Sequence, residues 1–296
     1  MPDHLLRHPL TALRGELGTP ADRYLDRLDE VHHALGYGRM AKSREKVSRW
    51  ENGVHRPEMR AQRSMARLHG IADEAVDRLG WPHFLLLAFA DDRPVLDGPW
   101  TAAGTMAAVA ATSREDSMDR RGFLISSGAT LTGVASHWRD AVTDLPLPGS
   151  GRRLSAAVMT RLEQRLEDLR RLDDVLGVDH LLPAAVAEHR LLGGLAESAS
   201  YDEPVGRRLF TNLAEVSRMC GFLNFDAGRH AQAQRFYITS LRASTSAGDR
   251  GVGANTLGFM ATQAGTVGSP QDAVNLARTA QDGVRGHATP RVRAML

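Results

Sequence analysis

Apolar positions along this chain recur at spacings of three and four, seldom at two, so the pattern predicts helices almost throughout and no sheet. Leu10, Leu13 and Leu17 make one buried stripe, closed by Gly18. Thr19-Pro20-Ala21-Asp22 then reads as a capping hydroxyl, a proline at the first helical position and an early acid. Tyr24, Leu25, Leu28, Val31 and Leu35 carry that second helix to the breaks at Gly36 and Gly38. A third, short helix starts at Ser43, read as its N-cap, and turns Val47 and Trp50 inward. Ser43, Arg44, Glu45, Lys46, Ser48 and Arg49 are left facing outward, and Asn52-Gly53 stops the helix. Met59, Met65, Ala66 and Leu68 predict a fourth helix, and Ile71, Val76 and Leu79 a fifth. The greasiest run, from Trp81 to Ala90, suits a buried helix.

The pattern changes after residue 95. Gly98-Pro99, the Ala, Thr and Gly stretch from Thr101 to Thr112, and Pro146 to Gly151 have linker composition. Between them Asp119-Arg120-Arg121-Gly122-Phe123-Leu124 and the weakly apolar residues up to Ala135 resemble a twin-arginine export signal. A complete basic-helix pattern precedes this stretch, which favours a helix docking through Phe123, Leu124, Leu131 and Trp138. From Leu154 onward, Val158, Leu162, Leu166, Leu169, Leu172 and Leu176 predict a long amphipathic helix, with Arg161, Glu163, Arg165, Glu167 and Arg170 on its other face. Further helices are predicted near 180–199, 205–225, 229–247, 251–265 and 270–285. Gly221, Gly228, Ala233 and Tyr237 are echoed 40 residues later by Ala261, Gly268, Ala273 and Ala277. Small residues at such positions let the helices of stacked hairpins approach closely. The expected organisation is a domain over 1–95, a linker with a docking helix over 96–153, and a helical-repeat domain over 154–296, with the array continuing in a longer native protein.

Composition agrees with an all-α chain and narrows its setting. At 296 residues it is long enough for two cores, and aromatics are only 5%. Cys220 is the single cysteine, read as a small core residue, so neither a disulfide within the chain nor a paired-cysteine metal site is available. A reducing, cytoplasmic setting is expected. No apolar run reaches the roughly eighteen residues of a membrane span, and the N-terminus, with His4, Arg7 and His8 among few apolar residues, has no secretory pattern.

Charge singles out the third helix. The whole chain carries +2, yet residues 39–67 hold nine basic residues against three acidic ones, a local charge of +6. Both lysines of the protein, Lys42 and Lys46, fall there. Arg60, Arg63 and Arg67 on the fourth helix read as a solvated face, while Arg44, Lys46 and Arg49 sit beside the inward anchors of the third. Charge concentrated on one short element is the footprint of a nucleic-acid reader.

Val47-Ser48-Arg49-Trp50-Glu51-Asn52-Gly53, followed by Arg56-Pro57, resembles the recognition helix of the phage-repressor, or Xre-type, helix-turn-helix family, over roughly residues 8 to 80. The resemblance implies a five-helix domain that places Arg44, Glu45 and Ser48 at base edges and Lys46, Arg49 and Asn52 at phosphates, with Ser43 at the helix start. The chain departs from the family in the connection from Gly36 to Lys42, which is longer than the usual tight turn. Tyr37, Arg39 and Met40 in it either add backbone contacts or act as spacers. The C-terminal hairpins resemble tetratricopeptide repeats in a loose form, the usual period being about 34. That resemblance implies a curved surface for a peptide or small-molecule effector, with Asn212, Arg218, Asn224, Asn255 and Gln263 as lining residues.

Motifs for catalysis are not found. The sequence has no Gly-x-x-x-x-Gly-Lys and no His-Glu-x-x-His, and Gly251-Val252-Gly253 lacks the third glycine of a dinucleotide site. His32 and His33 point about 100° apart on a helix, a poor arrangement for one metal ion. The expectation is a regulator that binds double-stranded DNA as a homodimer and needs no cofactor. The alternative is a protein-interaction adaptor whose helix-turn-helix no longer binds DNA.

Overall fold

A computed structural model describes residues 8–89, 92–114, 128–173, 175–267 and 270–285. Every regular element among them is a helix, and an isolated bridge joins Arg153 to Ser200. The chain divides into two compact units. The first contains the described residues up to 93 together with 128–130, and the second contains the rest.

The first unit contains α1 (Pro9–Glu16), α2 (Ala21–Ala34), α3 (Arg44–Glu51), α4 (Met59–Leu68), α5 (Asp73–Leu79) and a 3-10 turn, His83–Ala88. Leu10, Tyr24, Leu25, Leu28, Val47, Met65, Val76 and Phe84 are buried at its centre. Three details differ from the sequence pattern. The N-cap of α2 is Pro20 and the Thr19 hydroxyl donates to the Leu17 carbonyl instead, at 3.1 Å. Leu17 and Leu35, at the ends of their stripes, are exposed because each lies past the last turn that meets a neighbour. Phe84 to Leu87 are buried as expected, but in a 3-10 turn, and all four can be buried because α1, α4 and α5 all pack against that turn.

Residues 94–114 and 131 onward make the second unit. After α6 (Arg93–Leu96) come α7 (Ala102–Thr112), α8 (Ala129–Asp140), α9 (Ala156–Leu172), α10 (Val178–Ser198), α11 (Glu203–Asp226), α12 (His230–Ala247), α13 (Arg250–Val267) and α14 (Pro270–Gly283). Two antiparallel hairpins dominate, α11 with α12 and α13 with α14. Gly221 makes the first possible, because a Cβ there would lie 2.4 Å from the Tyr237 ring. Helix α11 also touches α9 and α13, so the odd-numbered helices share a layer.

The stretch with linker composition is therefore largely structured. Thr101 caps α7 by accepting from the Gly104 N–H, and the alanines that look like a linker are also the best helix formers. Helix α7 packs between α10 and α12. Arg190 of α10 donates to the Ser113 carbonyl at 2.8 Å, and Thr105 shares a hydrogen bond with Ser246 of α12 at 3.0 Å. Buried Arg242 donates to the carbonyls of Val95, Gly98 and Pro99, and its guanidinium lies 4.7 Å from the Trp100 centroid. Desolvation pushes that guanidinium down to about 10. Residues 115–127, which hold the twin-arginine-like motif with Phe123 and Leu124, lie outside the described residues. Of the four expected docking residues, Leu131 and Trp138 are buried.

Helix α9 turns slightly from its predicted stripe. Met159, Leu162 and Leu166 are buried against α10 and α11, whereas Val158 and Leu172 are exposed, and Leu176, also exposed, lies past the end of the helix.

His189 on α10 is fully buried between two hydroxyls, Thr112 Oγ1 at 3.1 Å from Nε2 and Ser217 Oγ at 3.1 Å from Nδ1. Burial pushes its ring down to about 4, so the folded chain holds it neutral where an exposed histidine would be half charged. Its folded value lies below its unfolded one, so its contribution is complete above about pH 6.5 and is lost as pH falls towards about 4. On the order of 3 kcal/mol is at stake. Urea unfolding of the parent at pH 7.5 and pH 4.5 should show that loss, and a His189→Gln variant should show a smaller difference between the two pH values. An unchanged pH slope in the variant would refute the assignment.

Candidate nucleic-acid interface

The basic helix α3 is set in place from both ends and from behind. Val47 is fully buried and Trp50 is 3% exposed, as their spacing of three predicts. At the C-terminal end, Arg14 of α1 grips Glu51 through Nε and Nη2, at 2.7 and 3.0 Å, and donates from Nη1 to the Thr19 carbonyl. Gly53 adopts φ +68, the left-handed conformation that ends a helix. At the other end, Ser43 occupies the N-cap position with extended backbone, but its hydroxyl makes no capping bond.

The long connection from α2 to α3 is pinned by two residues of α2. Asp29, with its side chain 3% exposed, accepts from the Met40 N–H at 2.8 Å and from Arg39 at 3.1 Å, and lies 3.3 Å from the Lys42 ammonium. These donors hold its carboxyl down at about 2. His32 donates from Nδ1 to the Gly38 carbonyl at 2.9 Å. Gly36 and Gly38 supply the positive φ values, +78 and +85, that the path needs.

On the outward side, Glu45, Ser48, Arg49 and Asn52 are exposed, and Ser43 is exposed at the helix start. Arg44 is the first residue of α3. Lys46 is half-buried, its ammonium 5.6 Å from the Trp50 centroid and donating to the Ala41 carbonyl at 3.2 Å. Asn52 donates to the Ser48 hydroxyl at 3.1 Å, and Arg49 pairs with Glu45 at 3.3 Å one turn away. An exposed pair of this kind is worth little and exchanges readily for a stronger anion. The local charge is less open than the sequence count implies, because Arg39 and Lys42 are paired with Asp29, and Lys42 also with Asp26 at 2.7 Å. Arg63 on α4 pairs with Asp77 at 3.6 Å.

Beside α3 lies a groove of about 570 Å³, walled by the α2–α3 connection, by the Lys46, Arg49 and Trp50 side of α3, and by residues from His55 to Ala61. Tyr37 stands at one wall with the Arg60 guanidinium 5.8 Å from its ring centroid.

In the second unit, three of the five polar residues expected on a binding surface, Asn212, Asn224 and Gln263, are buried instead. Asn212 is buried and lines a hollow of about 440 Å³ between α9 and α11. Arg218 pairs with Glu215 and lies over Phe259, Asn224 donates to the Cys220 carbonyl, and Gln263 donates to the His230 carbonyl. Asn255 is half-buried. Cys220 is buried, and burial pushes its thiol far up. No group of metal-ligating side chains is present among the described residues, and none of their helices is long and apolar enough to cross a membrane.

Comparison with protein-family models, with curated proteins and with solved structures finds no match to this chain.

Sequence pattern alone missed the residues that hold α3 from a distance. Arg14 and Glu51 are 37 positions apart and carry no local signal of pairing. Asp29 does carry one, as an acid among the inward positions Leu25, Leu28 and His32 of α2. A buried acid at such a place needs donors, and the adjacent connection is where they come from.

Proposed function

We propose that this chain is a sequence-specific DNA-binding transcriptional regulator of the cytoplasm, with the first unit acting as an Xre-type helix-turn-helix domain and α3 as its recognition helix. The observation that carries this reading is the division of α3 into a buried pair, Val47 and Trp50, and an exposed polar face. Arg44, Glu45 and Ser48 take the base edges and Lys46, Arg49 and Asn52 the phosphates, with Ser43 at the start of the helix. The helical hairpins of the second unit act as a tetratricopeptide-like array for sensing a peptide or small molecule, or for dimerisation. A homodimer suits the reading because two recognition helices then reach successive major grooves about 34 Å apart. One helix of eight residues, about 12 Å long, makes few contacts by itself.

Selection from a pool of random duplexes tests the reading, with enrichment of a palindrome as the expected result. A flat pool with retained binding of a protein partner favours the adaptor instead. For the selected duplex, log affinity should fall with log salt at a slope near −0.9 per phosphate contact, and Lys46→Ala should remove about one contact from that slope for every sequence alike. Arg44→Ala should instead relax base choice by about 1–3 kcal/mol. Parent-like behaviour of both variants would remove α3 from the interface.

A further inference from the structure

We propose that the groove beside α3 is a binding site in its own right, for a small phosphorylated ligand of nucleotide size, and that its occupancy competes with duplex DNA. The second half of this proposal rests on the DNA-binding reading above, and the first half does not.

Shape comes first. The groove measures about 570 Å³, within the range of roughly 300–1,000 Å³ typical of small-molecule sites. One wall is the connection that departs from a tight turn, and that wall is pre-formed, since Asp29 and His32 bond its backbone at Met40 and Gly38. A wall already in place costs a ligand little ordering entropy.

Charge decides the class. Arg39, Lys46, Arg49, Arg56 and Arg60 line the groove, against Glu45 and Glu58. Arg39 answers Asp29 and Arg49 answers Glu45, but Arg56 and Arg60 have no carboxylate partner among the described residues. The cationic lining excludes a metal ion and disfavours an apolar ligand. A single carboxylate would satisfy one guanidinium, whereas linked phosphates span several, and the planar guanidinium fork fits phosphate oxygens in pairs. Lys46 and Arg49 line the groove and also belong to the face assigned to DNA, so a polyanion seated there neutralises the cations that phosphodiesters would use.

Calorimetry on the full chain provides the test, with inorganic tripolyphosphate, a nucleoside triphosphate and the unphosphorylated nucleoside as probes. Both phosphates should bind and the nucleoside should not. An Arg56→Ser/Arg60→Ser variant, altered at two exposed side chains, should melt like the parent and bind each phosphate at least about tenfold more weakly. Tighter binding of the triphosphate than of inorganic tripolyphosphate, which carries the same number of phosphates, identifies a nucleotide, and equal binding identifies the phosphate chain alone. Absence of binding by the parent at millimolar phosphate, or equal binding by the variant, overturns the site. In gel shifts, saturating triphosphate should displace the selected duplex from the parent. Duplex binding that persists unchanged overturns the competition while leaving the site intact. A chain that binds triphosphate and no duplex at all removes the DNA reading instead.

Discussion

Trp50→Ala should lower the stability of the first unit by about 3–5 kcal/mol, the usual cost of emptying a large buried aromatic site. The indole is 3% exposed and, with Val47, is what α3 turns towards the core. Against a typical total of about 5–15 kcal/mol, that loss is enough to loosen the helix from the unit. It also removes the ring over which Lys46 lies. On the DNA-binding reading proposed above, duplex affinity should therefore fall together with the midpoint of the thermal transition. Arg49→Ala separates the two effects, because an exposed side chain changes stability by no more than about 0.5 kcal/mol while loss of the phosphate contact proposed for it should still weaken binding. Thermal unfolding followed by circular dichroism reads the first quantity and a salt-controlled gel shift the second. A Trp50→Ala protein that melts like the parent would show that the indole does not hold α3.

The second large effect is expected where α8 meets α13 and α14. Trp138 is fully buried, and the space for it exists because residues 253 and 283 have no side chains. A Cβ on Gly253 would lie 2.1 Å from the indole Nε1 and 2.7 Å from the Ser244 hydroxyl, and one on Gly283 would lie 2.3 Å from the indole Cζ3. Arg250 completes the joint by donating to the carbonyls of Trp138, Arg139 and Ala141. Gly253→Ala should cost about 1–3 kcal/mol through overpacking, and Trp138→Ala about 3–5 kcal/mol through the cavity it leaves. The two changes share one volume, so the double variant should lose less than the sum, with a coupling of about 0.5–3 kcal/mol in urea titrations. Strict additivity would mean that the indole does not occupy this slot.

The two sites differ in how much of them could be read from the order of residues. At α3, the spacing of Val47 and Trp50 and the stop at Asn52-Gly53 are local signals, and both describe the folded helix correctly. The exposed state of Ser43, Glu45, Ser48, Arg49 and Asn52 follows from them. The pins that hold the helix are not local, since Arg14 reaches Glu51 across the unit and Asp29 reaches forward to Met40. Likewise, the nine basic residues of 39–67 could be counted, but the pairing of Arg39 and Lys42 with the acids of α2 could not. Helix caps were legible as residue types and less so as bonds, since Thr19 and Ser43 have suitable hydroxyls and neither one caps. In the second unit, the Gly221 and Tyr237 positions of the proposed repeat do pack together, while the slot around Trp138 left no pattern to find.

The order of residues is enough to establish that this chain is helical, roughly where its helices start and stop, and which one concentrates positive charge. Those properties depend on residues within a turn or two of each other, through periodicity, propensity and capping. Tertiary structure alone decided which faces are covered. Helix α12 shows this most plainly, being buried on all sides although Thr239, Ser240, Arg242 and Ser244 are polar. Ser240 is satisfied by Thr256, and Arg242 by three carbonyls more than 140 positions earlier. Helix α7 looks like a linker for the matching reason, because its small residues favour a helix but mark no buried face until α10 and α12 close around them. Burial of a polar or a small residue is a property of its partners, and those partners are chosen by the packing of distant segments.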